Sequence, residues 1–136
     1  MSALVLDNEA VGALRDTGHP KHLAVVAHLQ AVVGRRRRGA STDVVVPTAV
    51  RAEAGWDRSS ASAAAINRFR VRDVPLDPIR TDLAAAIVVR EQVSVADAHV
   101  GACVAAAGWT DVVVLTSDPG DMTRVCAPVS IRAVRI

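Results

Sequence analysis

Two carboxylates stand where an apolar run gives way to the next element. Asp7 follows Leu4-Val5-Leu6, and Asp118 follows Val112-Val113-Val114-Leu115 by way of Thr116 and Ser117. In an open α/β sheet, ligands bind beyond the carboxyl ends of the strands. If the two runs are neighbouring strands, the two acids converge. Asp118 also reads simply as a helix cap after a strand. Asp97 lies in Val95 to Ala107, a segment apolar nearly all round, on one face with Gly101, Val104 and Ala105. Such a helix is expected to be buried, and a buried carboxylate is costly unless it is paired or bound to a metal. The plainer alternative is a first-turn acid relieved by the helix dipole. Glu53 follows Ala49 and Val50 at helical spacing and falls on their apolar stripe. It is either a functional acid or one half of a salt bridge to an arginine. Asp121, on the same side of a helix as Asp118, is a second acid of the group or an exposed first-turn charge.

Gathered together, Asp7, Glu53, Asp97 and Asp118 would be a set of hard oxygen ligands. Such a set repels itself, and some members hold protons unless a cation is present. Mg²⁺ or Mn²⁺ fits oxygen donors, retained waters and substrate phosphates. The chemistry that follows is activation of water for in-line attack on a phosphodiester.

The elements that must position these acids can be read from the same pattern. Leu4–Leu6, Val44–Val46 and Val112–Leu115 are apolar at every position, as strands covered on both faces are. Val129 to Ile136 mixes apolar and polar residues and reads as a half-exposed edge strand; Arg70 to Val74 alternates and reads as the opposite edge. Helices are expected over Glu9–Asp16, Lys21–Val33 with Gly34 as its stop, Thr48–Trp56, Ser59–Phe69, Pro78–Glu91, Val95–Ala107 and Asp118–Val125. Gly34 to Thr42, with Arg35, Arg36, Arg37 and Arg38, is expected to be a mobile surface loop. Strands alternating with helices predict an α/β fold with a mainly parallel sheet in a single domain over 1–136.

Composition removes several classes of function. The chain has 136 residues, enough for one ordinary domain. Its aromatic residues are Trp56, Trp109 and Phe69, so the core must be built from Val, Ala, Leu and Ile, and no stacking platform for single-strand bases is available. No apolar run is long enough to span a membrane, and the start of the chain carries an acid where a signal peptide needs a base, so a soluble cytoplasmic protein is expected. Cys103 and Cys126 show neither metal spacing nor a disulfide framework. The net charge of +2 does not by itself imply a nucleic-acid partner.

The chain resembles the PIN-domain family and, in size and layout, the VapC-type toxins of toxin–antitoxin pairs. The resemblance rests on Val5-Leu6-Asp7, on Val46 to Glu53, on Ser94 to Ala102 and on Val114 to Met122, in that order and covering nearly the whole chain. It implies a three-layer α/β/α sandwich and a Mg²⁺- or Mn²⁺-dependent endoribonuclease. It implies that Asp7, Glu53, Asp97 and Asp118 are the acidic quartet, with Asp7, Asp97 and Asp118 on the metal and Asp121 as an accessory. It also implies a homodimer and a VapB-type antitoxin that blocks the site. The sequence departs from the family after Asp7, where Asn8-Glu9 replaces a frequent small hydroxyl residue; Asn8 is then expected to hold a water or phosphate, and Glu9 adds a charge. Thr116 and Ser117 retain hydroxyls that can orient Asp118 or a metal-bound water.

The Arg35–Arg38 run is a solvated or partner-contacting loop, or else a contact to RNA phosphates without sequence readout. His19, His22, His28 and His99 show no metal spacing, and His99 points away from Asp97 on a helix, so no histidine is given a catalytic role. Two other classes compete. A receiver-like phosphorylation switch needs a lysine beyond a late strand, and Lys21, the only lysine, comes too early. A catalytically silent PIN-like binding module would not need the intact acids.

Overall fold

A computed structural model describes the backbone of residues 1–136 and the side chains of all but Ser62 and Ala65. Its centre is a sheet of β1 (Ser2–Leu6), β2 (Thr42–Pro47), β3 (Arg72–Val74), β4 (Asp111–Thr116) and β5 (Arg132–Arg135), in the order β3-β2-β1-β4-β5 and parallel throughout. The three continuous apolar runs form the three inner strands, and the two alternating segments form the opposite edges. Val5, Leu6, Val44, Val45, Val46, Val114 and Leu115 are buried irrespective of the face they point to. That is the signature of a sheet covered on both sides.

The strand order reverses direction between β1 and β4. From β1 the chain winds outward through α1 (Asn8–Arg15), α2 (His22–Arg37) and β2, then through α3 (Thr48–Glu53) and α4 (Ala64–Asn67) to β3. It returns through α5 (Pro78–Glu91) and α6 (Val95–Ala107) to β4, and through α7 (Pro119–Cys126) to β5. Right-handed crossovers place the outward and the returning helices on opposite faces. Accordingly α1 packs on α2 and α4, while α5, α6 and α7 pack on one another. The crevice at the carboxyl ends of β1 and β4 is the topological switch point of such a sheet.

Three expectations need correction. Gly34 does not stop α2, which continues to Arg37; Arg35, Arg36 and Arg37 form its last turn and Arg38 its C-cap, so the arginine run of the expected loop is mostly helix. Cations in a last turn are favoured by the helix dipole, and the helix closes instead at Gly39 (φ 88°), where Gly39 N–H donates to Arg36 O and Ala40 N–H to Arg35 O. α3 ends at Glu53 rather than Trp56, because the same closure forms at Gly55 (φ 66°). Trp56 is left buried beneath the guanidinium groups of Arg51 and Arg58, 5.3 and 4.5 Å from the ring centroid. The helix expected over Ser59–Phe69 is a 3₁₀ turn at Ala61–Ala63 and the short α4. Among the described residues no helix is long and apolar enough to cross a membrane.

Candidate active site

β1 and β4 are in register from Ser2↔Asp111 to Leu6↔Leu115, so Asp7 leaves the sheet beside Thr116. Asp7 N–H donates to Leu115 O at 3.3 Å, which carries the sheet pairing one residue past β1. Asp7 is 6% exposed. It caps α1, with Oδ1 accepting from Ala10 N–H at 2.9 Å. Asp118 caps α7 in the same way, with Oδ1 accepting from Asp121 N–H at 3.0 Å. Both acids are therefore caps and cleft residues together; the two readings of Asp118 are not exclusive.

Asp97 is at the first turn of α6, on a helix whose buried residues are Ala96 and Ala98 to Val104. Asp97 itself is half-buried, less enclosed than its apolar helix led us to expect, because it is on the turn that reaches the cleft. Ser94 Oγ accepts from Asp97 N–H at 3.1 Å, and the hydroxyl favours the ionised form of the Asp97 carboxyl. This cap fixes the turn that carries the acid. Glu53 is exposed, not buried on an apolar stripe, since α3 buries only Val50. Its partner is an amide rather than an arginine: Asn8 Nδ2 donates to Glu53 Oε1 at 3.3 Å.

These residues meet. Asp7, Asn8, Glu9, Glu53, Asp97, Thr116, Ser117, Asp118 and Asp121 line one cleft of about 190 Å³, with Met122 among its walls. The electrostatics show the crowding. Burial pushes the Asp7 carboxyl above its ordinary range, with Asp97 and Glu9 adding to the rise; hydrogen bonds from Thr116 and Ala10 oppose it. Burial likewise raises Asp97, helped by the charges of Glu53 and Asp118. Thr116 links the two acids: its hydroxyl accepts from Asp118 N–H at 2.9 Å and, beside Asp7, favours the ionised form of that carboxyl.

Other expectations fare differently. Asp121 lines the cleft but is paired with Arg124. Glu9 is paired with Lys21 at 3.2 Å and His19 at 3.5 Å. Asn8 spends its amide on Glu53. Arg35 to Arg38 are at the far end of α2 and do not line the cleft. Two residues escaped sequence reasoning as site positions. Ser94 was legible as the first member of a Ser-x-x-Asp cap. His99 had no sequence signal: it is fully buried, and its Nδ1 accepts from Ala49 N–H at 3.2 Å, a free first-turn donor of α3. Burial holds its pKa below the ordinary value, so the ring stays neutral and acts as a strut between α6 and α3.

The donor set is carboxylate and hydroxyl oxygen, which is the chemistry of Mg²⁺ or Mn²⁺. Among the described residues no group of three or more acids, imidazoles or thiols is drawn into one coordination sphere. The expected triad of Asp7, Asp97 and Asp118 thus shares a cleft without closing on a point. Two of the three have an oxygen committed to a helix N-terminus, and like charges keep apart. Mg²⁺ does not require more, since it is commonly held by one or two carboxylates together with waters and substrate phosphates.

No family model matches the chain, and no curated protein matches it. Solved structures do share its fold. The crystal structure of VapC20, the Sarcin–Ricin loop cleaving toxin of Mycobacterium tuberculosis, is similar with a TM-score of 0.57 and 15% identity, over 93% of this chain and 96% of that one. VapBC2 of Rickettsia felis, bound to a DNA fragment from its promoter, is similar with a TM-score of 0.60 and 8% identity, over 97% of this chain and 98% of the other. The fold is that of VapC toxins, the PIN-like α/β/α sandwich.

Proposed function

We propose that the chain is a metal-dependent endoribonuclease, the toxin of a toxin–antitoxin pair. The observation that carries the reading is the convergence of Asp7, Asp97, Asp118 and Glu53 in one cleft at the switch point of the sheet. Burial and mutual repulsion raise the first two carboxyls, and a cation relieves that cost. Asp7 and Asp97 would hold Mg²⁺ or Mn²⁺, with Asp118 contributing its second oxygen. When bound, the ion supplies an activated water and neutralises charge on the phosphate. Ala10 N–H fixes the Asp7 carboxylate, and Ser94 caps the turn that carries Asp97. Glu53 is at the mouth with one oxygen outside its bond to Asn8, where it can take a proton from a water attacking the phosphodiester.

The fold shared with a Sarcin–Ricin loop cleaving toxin supports RNA as the substrate class, and the shared fold with VapBC2 supports a VapB-type antitoxin as partner. A homodimer belongs to the same reading; Ile79 and Val89 of α5 are exposed apolar side chains available for such contacts. Incubating the purified chain with total RNA in Mg²⁺, Mn²⁺ or EDTA, and mapping new ends, tests the reading. Discrete ends are expected with either ion and none in EDTA. Intact RNA in all three conditions, or equal cutting in EDTA, overturns it.

A further inference from the structure

In a parallel sheet every strand begins at the same edge, so the segments that lead into strands gather there. Arg37 and Arg38 precede β2, Arg68 and Arg70 precede β3, and Arg132 opens β5; Arg35 on the last turn of α2 completes the set. All six are exposed, and among the described residues none of the six guanidinium groups has a hydrogen-bond or ion-pair partner. Arg36 joins the parts of this surface, its Nε donating to Thr42 O at 2.8 Å and Nη1 to Phe69 O at 3.4 Å. On one side of the end of α2, Arg35 and Arg132 face a groove of about 460 Å³ that also holds one carboxylate, Asp111. On the other side, Arg37, Arg68 and Arg70 line a second hollow.

The helix dipole accounts for arginines in the last turn of α2. It does not account for Arg70 or Arg132, and Arg68 is the C-cap of α4, a helix of only four residues. The acidic cleft also repels a phosphate backbone, and the cations beside it are engaged: Lys21 with Glu9, Arg124 with Asp121, and Arg135 with the Ser117 carbonyl. Beyond the phosphate that a cation in the cleft would neutralise, attraction for a polyanion must come from elsewhere on the molecule. Resting on the ribonuclease reading, we propose that the amino edge of the sheet is a phosphate-binding surface that holds the RNA backbone away from the scissile bond. The arginines are spread over two hollows on either side of α2, with Asp111 the one carboxylate lining either among the described residues, which favours an extended phosphate chain over a compact acidic partner. The two edges are separated by the length of a six-residue strand, about 20 Å, so only RNA long enough to follow the surface engages both.

The test uses Asp97→Asn, which leaves the RNA intact, with and without Arg37→Gln, Arg38→Gln and Arg70→Gln together. A long RNA should bind the triple variant at least tenfold more weakly at low salt, with a slope of log affinity against log salt shallower by about 2. With Asp97 restored, the triple variant should show a raised KM on long RNA and unchanged cleavage of a short oligonucleotide confined to the cleft. The proposal is overturned by an unchanged salt slope, or by a loss confined to an acidic protein partner with RNA binding intact. RNA held through this edge by a chain that never cuts it sinks the ribonuclease reading and leaves the edge standing. Cutting with an unchanged slope does the reverse.

Discussion

The two edges of one sheet carry opposite charges and opposite mechanical character. At the carboxyl edge, Asp7 and Asp118 are fixed by the N-terminal donors of α1 and α7, and Asp97 is carried on the first turn of α6, whose Asp97 N–H is capped by Ser94 Oγ. At the amino edge, six arginines project into solvent and are fixed by nothing among the described residues. Strand exits in a parallel sheet lead into helix N-termini, which hold a carboxylate by its oxygen; strand entries follow helix C-termini or turns, where long cations are tolerated without a partner. Positional accuracy suits chemistry, and loose reach suits charge-based attraction to a flexible chain. The difference predicts that damage at one edge removes turnover and damage at the other removes affinity.

The largest effect expected is from Asp97→Asn. It should lower RNA cleavage about a thousandfold, a loss of several kcal/mol of transition-state stabilisation. Long-RNA binding should hardly change. If single-turnover cleavage stays within a few-fold of the parent, Asp97 is not part of the machinery and the two edges do not divide the work as argued.

A smaller effect sharpens the contrast through packing alone. A Cβ built at Gly101 of α6 would approach the Val125 carbonyl oxygen to 2.2 Å and Ile87 Cδ1 to 2.8 Å. The backbone of α7 must then shift, so Gly101→Ala should lower stability by about 1–3 kcal/mol in denaturant melts. Because α7 carries Asp118 at its start, cleavage should fall further than the loss of folded protein explains, while the salt slope of RNA binding is kept. A variant as stable as the parent would show that α6 and α7 are not packed as closely as described.

Most of the frame was legible in the sequence because the inner strands are unbroken Val and Leu runs, and only a doubly covered parallel sheet buries such runs whole. The placement of β3 and β5 at opposite edges followed from their alternation with arginine. Chain direction past Gly34 was not legible: one glycine costs about 1 kcal/mol in a helix, and the arginines beyond it stabilise the C-terminus by a comparable amount. Glu53 misled for a related reason. Its spacing from Ala49 and Val50 assumed a helix long enough to have a buried stripe, but α3 ends at Glu53 itself. His99 was invisible because its partner, Ala49 N–H, is fifty residues away. The amino-edge surface was half visible as Arg35–Arg38; Arg68, Arg70 and Arg132 join it only through the topology.

The finest discrimination comes from Asp7, which is both a cap and a strained charge. Its folded pKa is raised, so the folded state holds the proton more tightly than the unfolded chain does. Stability is then greatest below the ordinary value of 3.8, falls as pH rises towards the folded pKa, and has lost the whole of this contribution above it. Asparagine caps a helix about as well as aspartate. Asp7→Asn without metal should therefore be more stable than the parent at pH 7 and nearly equal to it near pH 3, and the gap measures the shift at about 1.4 kcal/mol per pKa unit. His99, whose folded pKa is lowered, loses stability as pH falls below 6.5, but it is common to both proteins and cancels in the difference. Asp7→Ala removes the cap as well and should fall about 1 kcal/mol below Asp7→Asn at every pH. Mg²⁺ should raise the melting temperature of the parent and leave that of Asp7→Asn nearly unmoved. If Asp7→Asn were no more stable than the parent at pH 7, the carboxyl edge would hold no stored repulsion for a cation to relieve, and its contrast with the arginine edge would be one of sign alone.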